Sequence, residues 1–145
     1  MHIRGFVYPA ALLPEAKGFT VRFPDLPDAI TGGEDRSDAL VQATDCLEEA
    51  IAVRIADGLE IPKPSPPRRK EVLVALSAPM AAKAALYLAI RDTGLSKLQL
   101  ARMLDLDEKE IRRLLDPKHA TKLSRIQDIL ARLGKRITIS LEDAA

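Results

Sequence analysis

The sequence contains one cysteine, no tryptophan, three phenylalanines and two tyrosines. A single thiol, Cys46, excludes a disulfide within the chain and a metal site built from several cysteines. One cysteine is typical of proteins from a reducing compartment, so we predict a cytoplasmic protein. Because aromatic residues are few, the core must consist mainly of Leu, Ile, Val and Ala. A chain of 145 residues with 47% hydrophobic content is long enough for one ordinary domain or two small ones.

The sequence also lacks an uninterrupted membrane-spanning segment. The longest apolar run, residues 72–90, contains Pro79 and Lys83, whereas a membrane helix needs about 20 predominantly apolar residues. Its first part is rich in β-branched residues and its second in Ala and Leu, which predicts a buried strand followed by a core helix. The first ten residues do not have the pattern of a signal peptide, so none is predicted.

The net charge of +1 hides a marked asymmetry along the chain. Residues 1–60 hold 5 Lys and Arg against 11 Asp and Glu, a net charge of −6, whereas residues 61–145 hold 17 against 10, a net charge of +7. This division suggests two functions with partners of opposite charge. The alternative is that two solvated surfaces simply differ in composition.

The segment "EIPKPSPPRRK", residues 60–70, contains four prolines and no hydrophobic period, which predicts a semi-rigid connector. Three short strands are predicted before it, within residues 2–10, 18–24 and 28–33. Residues 34–58 predict a helix with Asp35 as its N-cap, Asp38 in its first turn and Gly58 at its end. The predicted helix has one apolar face, formed by Ala39, Leu40, Ala43, Leu47, Ala50, Ile51 and Ile55.

After the connector, "EVLVALS" predicts a fourth strand of the same antiparallel sheet, which would make the proline segment a crossover. The rest of the chain predicts helices over about residues 80–93, 97–104, 108–115 and 124–133, and a closing strand over residues 136–142. We therefore predict an α+β fold, with an acidic β-β-β-α-β module at residues 1–78. A helical, basic module at residues 79–145 would end in the short strand.

The predicted helices at 97–104 and 108–115 have the spacing of a helix-turn-helix. Counting Lys97 as the first position, Ala101 is the small fifth residue that such a motif requires where its helices cross. The ninth position is Asp105, a residue that tolerates left-handed backbone geometry. The alternative interpretation is a plain helical hairpin. A helix-turn-helix buries positions 4, 5, 8, 10, 15 and 18, and here these are the apolar residues Leu100, Ala101, Leu104, Leu106, Ile111 and Leu114.

The second helix of this pair opens with acidic residues, although DNA is a polyanion. Asp107 is predicted to be its N-cap, a structural role that the helix dipole favours. Lys109, Arg112 and Arg113 could reach base edges, whereas Glu108 could accept from cytosine or remain solvated. Other basic residues would contact phosphates. The predicted DNA-binding set is Lys97, Gln99, Glu108, Lys109, Arg112, Arg113, Lys118 and Lys122.

Four segments together resemble the HicB antitoxins of type II toxin–antitoxin modules. Residues 18–51, which include "FPDLP", and residues 56–65 resemble their N-terminal module. Residues 81–104 and 110–140, which include "RRLLDPKHATKL", resemble the helix-turn-helix tail of one HicB branch. The family often has Gly where this chain has Asp28, a difference that could alter the local turn.

The resemblance implies a partner, the HicA toxin, a small basic ribonuclease with a double-stranded-RNA-binding-like fold and a catalytic histidine. It implies that a partial RNase H fold without nuclease activity covers the toxin. The C-terminal module would bind operator DNA as a dimer or higher oligomer, and no cofactor or metal is implied. The expected toxin-binding set is Phe23, Asp25, Leu26, Asp28, Glu34 and Asp35.

Two other functions remain open at this stage. One is a stand-alone transcriptional regulator whose N-terminal module senses a small ligand. The other is a metal-dependent nuclease, since RNase H folds use clustered carboxylates. However, the strands "HIRGFVY", "FTVRF" and "EVLVALS" supply only Glu71, so we interpret Asp25 as a turn residue. His119 is expected to contact phosphate or pack in a loop.

The closing segment "RITISLE" alternates apolar and polar residues. A lone terminal strand beside helices leaves backbone groups unpaired. We therefore predict that it pairs with the same strand of a second copy and forms a dimer through Ile137, Ile139 and Leu141.

Overall fold

A computed structural model describes residues 5–144. Its four strands form one antiparallel sheet in the order β3-β2-β1-β4, so β3 and β4 are the edges. The strands are β1 (Val7–Pro14), β2 (Phe19–Phe23), β3 (Leu26–Gly33) and β4 (Glu71–Ala75). The predicted sheet is thus confirmed, and residues 2–4 of the first predicted strand lie outside the described part.

Strand β1 extends further along the chain than predicted. Leu12 and Pro14, which follow the predicted strand, pair with Val21 and Phe19 of β2. The turn is therefore confined to residues 15–18. Gly18 has φ +86°, and a Cβ added there would lie 2.1 Å from the carbonyl oxygen of Gly33, so this turn requires glycine.

Helix α1 (Arg36–Ala56) covers one face of the sheet and contacts all four strands. Its predicted N-cap is confirmed, because the Asp35 carboxylate accepts a hydrogen bond from the Asp38 backbone N–H at 2.8 Å. Asp57 is its C-cap residue, and Gly58 follows with φ +69°. Its buried stripe is Ala39, Ala43, Leu47, Ile51, Ala52 and Ile55.

The proline-rich segment is a crossover between α1 and β4, as predicted. It contains no helix or strand from residue 59 to residue 70. Strand β4 then pairs with β1, with Val74 opposite Tyr8. The N-terminal sheet is therefore complete only when a strand from beyond the prolines joins it.

The four predicted C-terminal helices are confirmed, each to within two residues of its predicted ends. They are α2 (Ala78–Thr93), α3 (Lys97–Leu104), α4 (Glu108–Leu114) and α5 (Leu123–Arg132). Pro79 lies in the first turn of α2, where its missing N–H costs no helical hydrogen bond.

The strand predicted at residues 136–142 does not form in the single chain, so this detail of the prediction is wrong for the isolated molecule. A strand requires a neighbouring strand for its backbone hydrogen bonds. Neither edge of the four-stranded sheet pairs with these residues.

Two hydrophobic clusters lie on either side of α2. The sheet core contains Tyr8, Phe23, Leu47 and other residues of the sheet and α1, together with Ala84 and Tyr87 of α2. The helical core contains residues of α2 to α5, and α2 supplies four of them. These four are Ala82, Leu86, Ala89 and Ile90. Helix α2 is therefore shared by the two halves of the molecule.

Candidate functional site

The burial predicted for the α3–α4 pair is confirmed. Ala101, the predicted small residue, is 6% exposed, and Leu106 is partly buried. The other predicted positions are at most 3% exposed, namely Leu100, Leu104, Ile111 and Leu114. Asp105 has φ 53° and ψ 49°, the left-handed conformation expected at the ninth position.

The acidic start of α4 is explained by its capping hydrogen bonds. The Asp107 carboxylate accepts from the Glu110 backbone N–H at 2.8 Å, and the Glu110 carboxylate accepts from the Asp107 N–H at 2.9 Å. This reciprocal pair satisfies two N–H groups that the helix itself leaves free. Two of the three acids therefore have a local structural role, and Glu108 is left exposed.

The outer surface of α4 is open to solvent. Lys109, Arg112 and Arg113 project from it as exposed side chains, and Lys118 and Lys122 follow in the loop before α5. Lys97 and Gln99 are exposed on α3, although the Gln99 side chain also accepts from the Ser96 backbone N–H at 2.9 Å. The structure thus places all eight predicted DNA-binding residues, Glu108 included, on the surface.

A cleft of about 260 Å³ lies between the end of α4 and the start of α5. Arg113, His119, Lys122 and Arg125 line it, together with Glu110, whose carboxylate is 3.5 Å from Arg125. Three cationic side chains and one imidazole around one concave surface match the chemistry of a phosphate group.

A second cleft, of about 450 Å³, separates α4 from the C-terminal end of α1. Lys97 and Arg112 line one side of it, and Asp57 and Gly58 line the other. The acidic half of the chain therefore reaches close to two of the predicted DNA-binding residues.

Lys83 is a residue of this region for which the sequence analysis predicted no role. Its side chain is 4% exposed, and its Nζ donates to the backbone oxygen of Arg113 at 3.0 Å and to the Thr121 hydroxyl at 2.6 Å. Burial lowers the pKa of its ammonium group, and the charge of Asp116 opposes that effect. The only sequence signal was a lone Lys within an apolar run.

Two residues of the expected toxin-binding set lie in the core. Phe23 is 1% exposed and Leu26 is 0% exposed, because they face each other across the β2–β3 turn on the sheet face that α1 covers. Their side chains cannot contact a docked protein, so we withdraw them as direct contacts.

The four acids of that set have different surroundings. Asp25 is partly buried, and its Oδ2 accepts from the Ser65 backbone N–H at 2.9 Å and the Ser65 hydroxyl at 3.1 Å. Asp28 lies 2.8 Å from Arg54, and hydrogen bonding to that guanidinium lowers the pKa of its carboxyl group. Glu34 and Asp35 are exposed beside the start of α1.

Strand β3 separates these acids into two pairs. Asp25 and Asp28 lie near its start and Glu34 and Asp35 follow its end, so the pairs are roughly 20 Å apart at about 3.3 Å per residue. Because β3 is an edge strand, both pairs lie at the same edge of the sheet.

Two exposed residues of α1, Asp45 and Glu49, add negative charge that the sequence did not lead us to assign to the site. The sequence signal for this pair was their spacing of four residues, which places both side chains on the same face of a helix.

Comparison with known proteins identifies the family of this chain. Residues 7–85 match the family described as the HicB-like antitoxin of bacterial toxin–antitoxin systems. The chain belongs to this HicB-like antitoxin family. The matched residues contain all four strands, α1 and the first half of α2.

Curated HicB relatives extend the similarity over the helical half. Antitoxin HicB 1 of Photorhabdus laumondii is 34% identical over 141 residues, which cover 97% of this chain and 90% of the relative. Antitoxin HicB 2 of the same strain is 37% identical over 91% of this chain and 94% of its own length. Antitoxin HicB of Escherichia coli K12 is 32% identical over 91% of this chain and 96% of its own length.

Other features of this HicB-like chain bear on the remaining predictions. Among residues 5–144, no group of three or more His, Cys, Asp or Glu side chains is placed to hold a metal ion. Cys46 is partly buried, and burial raises the pKa of its thiol. In the same part of the chain, every helix is too short or too polar to span a bilayer.

The predicted dimerisation residues differ in burial. Ile137 packs against the helical core, whereas Ile139 is 81% exposed and Leu141 is 100% exposed. The last residues of this HicB-like chain therefore present two apolar side chains to solvent.

Proposed function

We propose that this protein is the antitoxin of a type II toxin–antitoxin pair. Its acidic module, residues 1–78, binds and occludes a small basic HicA-like ribonuclease. Its basic module, residues 79–145, binds the operator of its own operon through a helix-turn-helix formed by α3 and α4, and represses transcription. It acts without catalysis and without a cofactor.

Membership of the HicB-like family carries this proposal, and the charge distribution supports the toxin-binding part. The RNA-binding surface of a ribonuclease is cationic, since RNA is a polyanion. An acidic surface attracts such an enzyme and competes with its substrate for the same side chains. The exposed acids beside β3 and along α1 form a suitable docking surface, namely Asp28, Glu34, Asp35, Asp45 and Glu49.

The geometry of α4 supports the DNA-binding part. Its outward side chains include Lys109, Arg112 and Arg113, which is the arrangement needed to read base edges from the major groove. The basic cleft beside α5 is suited to a backbone phosphate. Since a single α4 also carries exposed Glu108, high affinity requires two copies that each contact one half-site.

The exposed C-terminal segment supports assembly of those two copies. Ile139 and Leu141 alternate with polar residues and are exposed to solvent in the single chain. Pairing of residues 136–142 with the same segment of a second copy would bury them and satisfy their backbone groups.

Co-expression tests the toxin-binding part most simply. The partner is the short basic protein encoded beside this gene, and the expected result is a complex that co-purifies and loses ribonuclease activity. Glu34→Lys and Glu49→Lys should each weaken the complex at least about tenfold, because they place like charges at the interface. Asp128→Lys makes the same charge reversal at an exposed position of α5 and should not weaken the complex. Wild-type affinity in both variants would overturn docking on the acidic surface.

A further inference from the structure

Lys83 is the one buried charged residue in the described part of the chain. It lies on α2, between residues of the sheet core and residues of the helical core. Removing an ammonium group from water is unfavourable unless hydrogen bonds compensate for it. The hydrogen-bond partners of Lys83 therefore indicate the role of its charge.

Both partners of Lys83 belong to the predicted DNA-binding region. Arg113, whose backbone oxygen accepts one bond, is the residue before the last in α4. Thr121, whose hydroxyl accepts the other, lies in the loop that joins α4 to α5. That loop carries Lys118, His119 and Lys122. One amine on α2 thus contacts the end of α4 and the far end of the loop.

The loop has few other hydrogen bonds to distant parts of the chain. Within the described residues, its remaining hydrogen bonds are local, such as those from the backbone N–H groups of Lys118 and His119 to Asp116. Helix α4 has only seven residues, and its last carbonyl groups have no partner within the helix. The contacts from Lys83 therefore join the end of α4 and the loop to α2, in addition to the packing of Ile111 and Leu114 in the helical core.

We propose that Lys83 is a positioning residue for DNA binding, which holds the C-terminal end of α4 and residues 116–122 in the arrangement that contacts DNA. The inference rests on the proposed operator binding and adds to it a residue that DNA cannot touch. An apolar residue of similar length would suit the buried location at least as well for stability alone. The amine adds directional hydrogen bonds that a methyl group cannot form.

The test compares Lys83→Met with the wild type on duplex DNA from the region upstream of the chain's own operon. We expect operator affinity to fall about tenfold, because the end of α4 and Thr121 lose the amine that joins them to α2. The affinity for the toxin should stay at the wild-type level, and the melting temperature should change little, because removal of the buried charge offsets the loss of its hydrogen bonds. Lys17→Met removes the same charge from an exposed loop and should leave DNA binding unchanged.

Salt dependence distinguishes positioning from general loosening of the fold. Lys83 makes no phosphate contact, so a change in the salt slope of Lys83→Met must come from other residues. Loss of the contacts made by Lys118 or Lys122 should reduce the slope of log affinity against log salt by about 1 per contact. Wild-type DNA affinity in Lys83→Met would overturn the inference, as would an affinity loss matched by loss of toxin binding.

Thr121→Val provides a second variant that keeps the buried Lys83 and removes one acceptor. We expect a smaller loss of operator affinity in the same direction, with Lys83→Gln intermediate between the wild type and Lys83→Met. If Lys83→Met does not fold, unchanged affinity in both Thr121→Val and Lys83→Gln overturns the inference. Failure of the wild type to bind operator DNA would instead refute the DNA-binding part of the proposed function, and the positioning role with it.

Discussion

The carboxylate of Asp25 accepts two hydrogen bonds from Ser65, one from its backbone N–H at 2.9 Å and one from its hydroxyl at 3.1 Å. Asp25 lies in the β2–β3 turn, as predicted, and Ser65 lies in the proline-rich crossover. These bonds join segments that are 40 residues apart in sequence. They give Asp25 a structural role in holding the crossover against the sheet.

Asp25→Ala should make the crossover more accessible to protease. Loss of hydrogen bonds worth about 1 kcal/mol raises the open fraction of a segment roughly fivefold. Limited trypsin digestion should therefore cleave after Arg68 or Arg69 faster by that factor. Asp25→Asn keeps an acceptor and should resemble the wild type. Equal cleavage rates for Asp25→Ala and wild type would show that these bonds do not hold the segment.

Asp105→Gly should leave stability unchanged or raise it, because glycine adopts the observed left-handed conformation without a steric penalty. Asp105→Val should lower the free energy of unfolding by about 1–2 kcal/mol, since a β-branched residue is disfavoured there. Chemical denaturation of both variants measures the difference. A fully stable Asp105→Val variant would mean that the turn between α3 and α4 has another conformation.

Tyr8 should titrate at unusually high pH. Burial of its hydroxyl, which donates to the Pro62 oxygen at 2.7 Å, and the nearby charge of Asp25 raise its pKa from 10.0 to about 12, while Arg54 opposes the shift. The folded state thus holds this proton more tightly than the unfolded state. The stabilisation is fully present below pH 10 and is lost as the pH rises through about 12.

Tyrosinate absorbance measures this directly, since the chain has two tyrosines and no tryptophan. In Tyr87→Phe, the signal comes from Tyr8 alone, and circular dichroism recorded in parallel reports the folded fraction. We expect the phenolate to form only near pH 12 or together with unfolding. Ionisation near pH 10 in a chain that stays folded would contradict the observed burial.

Removal of residues 138–145 should convert the proposed dimer to a monomer without unfolding it. This truncation deletes the exposed Ile139 and Leu141 but retains Ile137, which packs against the helical core. It also retains Lys135, whose Nζ is 3.1 Å from Asp92. Light scattering on the wild type and the truncated chain provides the comparison. An unchanged oligomer would place the dimer interface elsewhere.

Features that depend on neighbouring residues were predictable from the sequence. The caps at Asp35 and Asp107 and the left-handed turn at Asp105 follow from side chains that act within three or four residues. The helix ends were predicted for the same reason. The spacing of the α3–α4 pair also identified its buried positions, because helical periodicity determines which side chains share a face.

Features that depend on distant residues were not predictable. The contact between Asp28 and Arg54 spans 26 residues, and those of Lys83 span 30 and 38. Phe23 and Leu26 were assigned to the surface from a resemblance, although the alternation along β2 already placed Phe23 with buried Val21. The alternation in residues 136–142 predicts a strand, but it does not identify a neighbouring strand with which these residues could pair.

In the proposed function, opposite charges at the two ends of the chain serve two partners, and a double variant on α4 separates the two activities. Arg112→Ala with Arg113→Ala removes two exposed cations of the proposed recognition helix. Lys63→Ala with Arg69→Ala removes the same charge from the exposed crossover and serves as the control.

The measurement is operator binding and toxin neutralisation on the same two preparations. We predict that the α4 variant no longer shifts operator DNA but still restores the growth of cells that express the toxin, while the control retains both activities. Loss of both activities in the α4 variant, or operator binding equal to that of the wild type, would contradict the division of function between the two halves.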